Sequence, residues 1–100
     1  MIFVKTKTAR GFSILHFKDD NEELCDIQHS STTDKSRIWL GVHSAKAEIL
    51  ASKTEQGGTG WVSYPIPKDV MITHRMHLSR KQSISLAFKL LKFGLFNKLN

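Results

Sequence analysis

The sequence predicts an α+β fold: an antiparallel β-sheet of about five or six strands followed by one C-terminal helix. Three observations carry that expectation. Short segments of alternating or β-rich composition recur between turn clusters over residues 2–78. A capping box opens at Ser79, with Gln82 three residues on. From Ile84 the apolar residues switch to helical spacing. One hundred residues, 40% of them apolar, make one domain with a real core, divided into sheet 2–78, helix 79–93 and tail 94–100.

Residues 11–18 alternate, with Phe12, Ile14 and His16 on one side and Ser13, Leu15 and Phe17 on the other. The run Asp19-Asp20-Asn21-Glu22 is a turn cluster, and residues 24–29 return as a second strand with Cys25 and Ile27 inward. A polar loop, 30–37, leads to a third strand, Ile38-Trp39-Leu40-Gly41-Val42, whose β-branched and aromatic content suits a central position. Residues 47–51 form a short fourth strand, the glycine-rich stretch 53–60 a flexible loop, and 61–64 a fifth strand. Pro65-Ile66-Pro67 forces an extended kink, since proline cannot donate to a ladder. Residues 70–78 alternate as a sixth strand, with Arg75 and His77 on its outer face. In the helix, Ile84, Ala87, Phe88, Leu91 and Leu95 form one stripe, and Leu86, Leu90 and Phe93 lie opposite; Gly94 ends or interrupts it. A single sheet covers one side of such a helix. The other calls for a second subunit, with loops or the tail as the alternative cover.

Composition narrows the function classes. The lone Cys25 excludes an intrachain disulfide and a zinc site built on several cysteines. The start, Met1-Ile2-Phe3-Val4-Lys5, is too short and too soon charged for a signal peptide, and no apolar run is long enough to span a bilayer, so a soluble intracellular protein is expected. The net charge of +6 is unevenly placed. Residues 1–69 hold nine Lys/Arg and nine Asp/Glu, whereas residues 70–100 hold six basic residues and no acid. A one-signed segment attracts anions or is simply a solvated cationic face.

Catalytic motifs are lacking. No Gly-x-Ser-x-Gly elbow is present, and Cys25 sits mid-strand on the core side, where a thiol is usually inert. His74 and His77 are three apart on a strand and face opposite ways, while His16, His29 and His43 are scattered, so no metal site is expected. The carboxylates cluster in turns, and the glycines at 57, 58 and 60 lack the spacing and lysine of a phosphate loop. No enzymatic activity and no cofactor are expected. The favoured site is a convergence of Arg10, Arg75 and His77 with Arg80 and Lys81 at the helix start, where guanidinium forks and free backbone N–H groups match phosphate oxygens. Trp39, Trp61, Tyr64 and Met76 offer stacking surfaces, and Ser30, Ser31 and Thr32 offer hydroxyls. The alternative places both tryptophans in the core and pairs the arginines with the turn acids.

Five segments carry a resemblance: Lys7-Thr8-Ala9-Arg10-Gly11-Phe12; Cys25-Asp26-Ile27-Gln28-His29-Ser30-Ser31; Ile38-Trp39-Leu40-Gly41-Val42; Gly60-Trp61-Val62-Ser63-Tyr64-Pro65-Ile66-Pro67; and Arg75-Met76-His77-Leu78-Ser79-Arg80-Lys81-Gln82. Over roughly residues 5–83 the chain resembles a family of short phage-encoded proteins. It is similar, more particularly, to the phage anti-defence sponges of the Thoeris type, which sequester cyclic ADP-ribose isomers. The resemblance implies an antiparallel sheet, a C-terminal helix, ligand pockets between subunits, residence in the host cytoplasm, and Arg75, Met76 and Gln28 as pocket residues. Residues 83–100 depart from it, being basic where the family's helix is more acidic, which bears on the subunit contacts. The candidate ligand set is therefore Arg10, Phe12, Gln28, Ser30, Ser31, Trp39, Trp61, Arg75, Met76 and His77. The expected partner is an anionic nucleotide, held without cleavage by a homo-oligomer. The rival classes are a basic nucleic-acid binder or anti-CRISPR-like nuclease inhibitor, and a cationic amphipathic segment on an acidic membrane.

Overall fold

A computed structural model describes residues 1–100, which separate into two compact units. The first comprises Met1–His43 with Arg75–Asn100, and the second Ser44–His74. No helix is long and apolar enough to cross a membrane.

In the first unit, strands β1 (Val4–Lys7), β2 (Ser13–Lys18), β3 (Leu24–His29), β4 (Arg37–Val42) and β7 (Arg75–Ser79) form one antiparallel sheet in the order β1-β2-β3-β4-β7, followed by helix α1 (Arg80–Phe96). The expected α+β architecture of about five strands and one terminal helix is what the chain adopts. In the second unit, β5 (Glu48–Leu50) pairs with β6 (Trp61–Ser63) in a separate two-stranded ladder, joined through a 3-10 turn at Ala51–Lys53. Gly57, Gly58 and Gly60 take φ of 64°, 108° and 82° there, which side chains resist, so this loop needs its glycines.

The β2–β3 hairpin is set by its turn. Asp19 Oδ1 accepts hydrogen bonds from the Asn21 and Glu23 N–H groups at 2.9 and 3.0 Å, and Glu22 sits at φ 63°. That closure fixes the register, with Lys18 opposite Leu24 and His16 opposite Asp26. The polar loop between β3 and β4 is tied by a bidentate pair, Arg37 Nη1 and Nη2 donating to Asp34 Oδ1 and Oδ2 at 2.8 Å each. The Arg37 hydrogen bonds hold the Asp34 carboxyl down at about 2.

Register divides the sheet into two faces. One carries Leu15, Phe17, Cys25, Ile27, Ile38, Leu40, Met76 and Leu78. The other carries Thr6, His16, Asp26, Gln28, Trp39, Arg75 and His77. In this unit Cys25 is the one fully buried apolar residue; Phe17, Ile27, Ile38, Leu40 and Leu78 are partly covered, and Leu15 and Met76 are exposed. Burial, then the nearby carboxylates of Asp19, Glu23 and Asp26, push the Cys25 thiol up from its usual range. Little thiolate forms at neutral pH, and the native thiol will alkylate far more slowly than the same thiol in urea, as read by iodoacetamide labelling against time.

Three boundaries differ from expectation. β1 is an additional edge strand, all four of its residues exposed. The strand expected over 70–78 is confined to Arg75–Ser79, because its partner β4 ends at Val42. The helix runs through Gly94 to Phe96 and stops at Asn97, in the left-handed region at φ 55°. One glycine costs a helix about 1 kcal/mol, less than is needed to end it. The capping box is present as expected: Gln82 N–H donates to Ser79 Oγ at 3.2 Å, and Ser79 N–H to Gln82 Oε1 at 3.0 Å. Contrary to expectation, neither apolar side of α1 lies on the sheet. Ile84, Phe88, Leu91 and Leu95 are more than half exposed, as is Leu90 on the opposite side.

Candidate functional site

The polar face is ordered by two adjacent cross-strand rows. One runs His16, Asp26, Gly41, Arg75 across β2, β3, β4 and β7. The other runs Ile14, Gln28, Trp39, His77. Gly41 leaves a gap in side chains between Asp26 and Arg75.

At the β7 end the two rows interlock. The Arg75 guanidinium lies 5.2 Å from the Trp39 ring centre and donates from Nη1 to Gln28 Oε1 at 3.0 Å. The His77 ring stacks on Trp39, 3.9 Å between centres at 9°. Its Nε2 shares a 3.0 Å hydrogen bond with Ser30 Oγ, which is buried and also accepts from the Thr32 N–H at 3.4 Å. Each side chain is positioned by its neighbour across the ladder. No carboxylate lies within ion-pair distance of Arg75; the one arginine that is so paired is Arg37, with Asp34. The expectation that Arg75 faces this side with His77 holds, and Gln28, Ser30 and Trp39 join it.

The remaining candidates do not join. Arg10 packs its guanidinium over Phe12, 5.7 Å from the ring centre, in the β1–β2 turn. Three strand spacings, about 14 Å, separate β2 from β7, too far for Arg10 to share an anion with Arg75. Met76 alternates with Arg75 and faces the apolar side, half exposed. Ser31 is exposed in the loop after β3. Trp61 is exposed in the second unit. One face of Trp39 is already taken by His77, which leaves less of it for a ligand ring.

At the β2–β3 end stands a group that the sequence reading missed. His16 Nδ1 lies 2.5 Å from Asp26 Oδ1, and His43 Nδ1 lies 2.5 Å from Asp26 Oδ2. The Asp26 side chain is 5% exposed, His16 19% and His43 47%. His16 Nε2 is bonded in turn to Thr6 Oγ1 at 2.6 Å. The expectation that His16 and His43 are scattered is overturned: hairpin register sets His16 opposite Asp26, and the chain leaving β4 folds His43 over the same carboxylate. Counting back from the Asp19 turn would have found the first pair. Nothing local in sequence marks the second. Thr6, His16 and Asp26 follow the hydroxyl–imidazole–carboxylate order that activates nucleophiles. The N-terminus of α1, a source of oxyanion donors, lies at the opposite edge of the sheet.

Grooves of about 520 and 570 Å³ flank the start of α1, beside Arg80, Ser36 and Ile84, and Arg75 lines neither. A third, about 530 Å³, reaches His16 between the N-terminal residues and the β2–β3 turn. The Arg75 cluster is thus an open surface on a single chain. No family signature, curated protein or solved structure matches this chain.

Proposed function

We propose that this chain binds an anionic, nucleotide-like small molecule of the cyclic ADP-ribose class at the Arg75 cluster and holds it uncleaved, as a homo-oligomer acting in the cytoplasm of a phage-infected host. The observation that carries this reading is the Arg75 guanidinium: half-buried, oriented by Gln28 and Trp39, and free of any carboxylate partner. An arginine desolvated to this degree without an internal anion is set to accept an external one, and its fork suits phosphate oxygens. Ser30 and His77 add hydrogen-bonding groups beside it. The resemblance to sequestering phage proteins supplies the ligand class.

An open surface holds a small ligand poorly, so the pocket needs a second wall. Eight apolar side chains of α1 and the tail, Phe88 and Leu95 among them, are each at least half exposed. They lie on both sides of the helix, so they do not form one patch; the main stripe of Ile84, Phe88, Leu91 and Leu95 alone presents on the order of 500 Å², within the ~300–600 Å² of a typical monomer's largest patch, which is often a contact surface. A second copy of this chain is the occupant we propose for it. Incubation of cyclic ADP-ribose with the protein, followed by heat denaturation, is expected to return the nucleotide intact on chromatography. Recovery of a hydrolysed product overturns the non-enzymatic reading.

A second reading has its own observation. Lys35, Arg80 and Lys81 line the 570 Å³ groove at the start of α1, a basic site apart from Arg75 that suits a nucleic-acid backbone. Binding to an oligonucleotide that weakens steeply with salt favours this class; a ligand with two phosphates gives a shallow slope.

A further inference from the structure

We infer that His16, Asp26 and His43 form a binding site for a divalent transition-metal ion of the zinc class. The three residues come from β2, β3 and the segment after β4, and their ligand atoms all lie within 4.8 Å of one another. Two imidazoles and one carboxylate are the donor types that zinc-class ions take in open sites, with further positions left to water or a ligand.

Charge argues the same way. Asp26 is 4% exposed, and no Lys or Arg pairs with it. A buried carboxylate is costly without a compensating positive charge, and a divalent ion supplies one. A second-sphere partner is at hand: with the ion on His16 Nδ1, the Nε2–H donates to Thr6 Oγ1, 2.6 Å away, a contact that orients the ring. The present 2.5 Å separations are hydrogen-bond distances, whereas ligands around tetrahedral zinc stand about 3.3 Å apart. Both imidazoles have to draw back by that amount: half-exposed His43 lies beyond the end of β4 and is free to step away, and His16, held in β2, does so by turning about its side-chain torsions. The 530 Å³ groove, with Asp19 and Glu22 on its walls, gives a cation a path to His16.

The test is titration of the metal-free full chain with Zn²⁺ against a chromogenic chelator, with native mass spectrometry for stoichiometry. The expected result is one zinc per chain, bound more than about tenfold more weakly by His43→Ala and Asp26→Asn, and weakened by about tenfold in Thr6→Val. His29→Ala, on the opposite face of the sheet, is expected to bind as the parent does. His43→Ala alters a half-exposed side chain and keeps the test decisive should Asp26→Asn fail to fold. Absence of stoichiometric zinc, or equal zinc uptake by parent and His43→Ala, overturns the site.

Discussion

Replacing Phe88 and Leu91 together by aspartate will convert the assembled protein to monomers. Both side chains lie on the largely exposed stripe of α1, at 67% and 56% exposure. Burying one large apolar side chain is worth about 1.5–3 kcal/mol. A symmetric dimer buries the exposed part of each twice, so the pair contributes about 4 kcal/mol at the low end, or nearly three decades in Kd. The aspartates add the cost of desolvating charge. The parent chain is expected to sediment as a dimer or larger species at micromolar concentration, and the variant as a monomer of 11.4 kDa with unchanged far-ultraviolet dichroism. The capping box of Ser79 and Gln82 keeps the helix start intact in both. A parent that is monomeric at 100-fold higher concentration removes the second copy as the cover for α1, and with it the second wall of the proposed pocket.

Elements whose cause is local were legible in the sequence. The Asp19 turn closes a hairpin because its carboxylate satisfies two backbone donors, and alternation on both sides then fixes the register. The start of α1 was legible for the same reason, since both halves of its cap lie within four residues. Elements set by distant partners were not. β1 has no buried residue, so Val4-Lys5-Thr6-Lys7 shows no apolar pattern, and its lysines are what an edge strand carries to discourage further pairing. The alternation through Val70 and Ile72 resembles a strand, but a ladder extends only as far as its neighbour, and β4 stops at Val42.

The two halves of the polar face divide along the same line. Arg75, His77 and Trp39 could be placed together because each follows strand alternation. Asp26 alternates with the inward Cys25 and Ile27, yet its pairing with His43, which arrives from outside the sheet, has no local signal. Periodicity gives a side chain's direction; what comes to cover it is a tertiary fact. The same holds for α1, whose stripe was read correctly while its expected cover, the sheet, leaves it bare.

Arg75→Ala will abolish measurable nucleotide binding, and Arg75→Lys will recover only part of it. Charged hydrogen bonds are worth about 1.5–3 kcal/mol each, so loss of one bidentate contact to phosphate weakens binding by about 150-fold or more. A lysine restores the charge. It does not restore the planar fork, the contact with the Trp39 ring or the bond to Gln28 that aims the group. Trp39→Ala is expected to weaken binding less than Arg75→Ala, because one of its faces is covered by His77 and its main service is to hold Arg75 and His77 in place. Isothermal titration with cyclic ADP-ribose checks the series, with Arg80→Ala as the comparison. If Arg75→Ala binds as the parent does while Arg80→Ala loses affinity, the anion seat lies at the groove beside α1. Equal, small losses from both, growing with every basic residue removed, describe diffuse attraction to a cationic segment and leave the oriented guanidinium without a ligand.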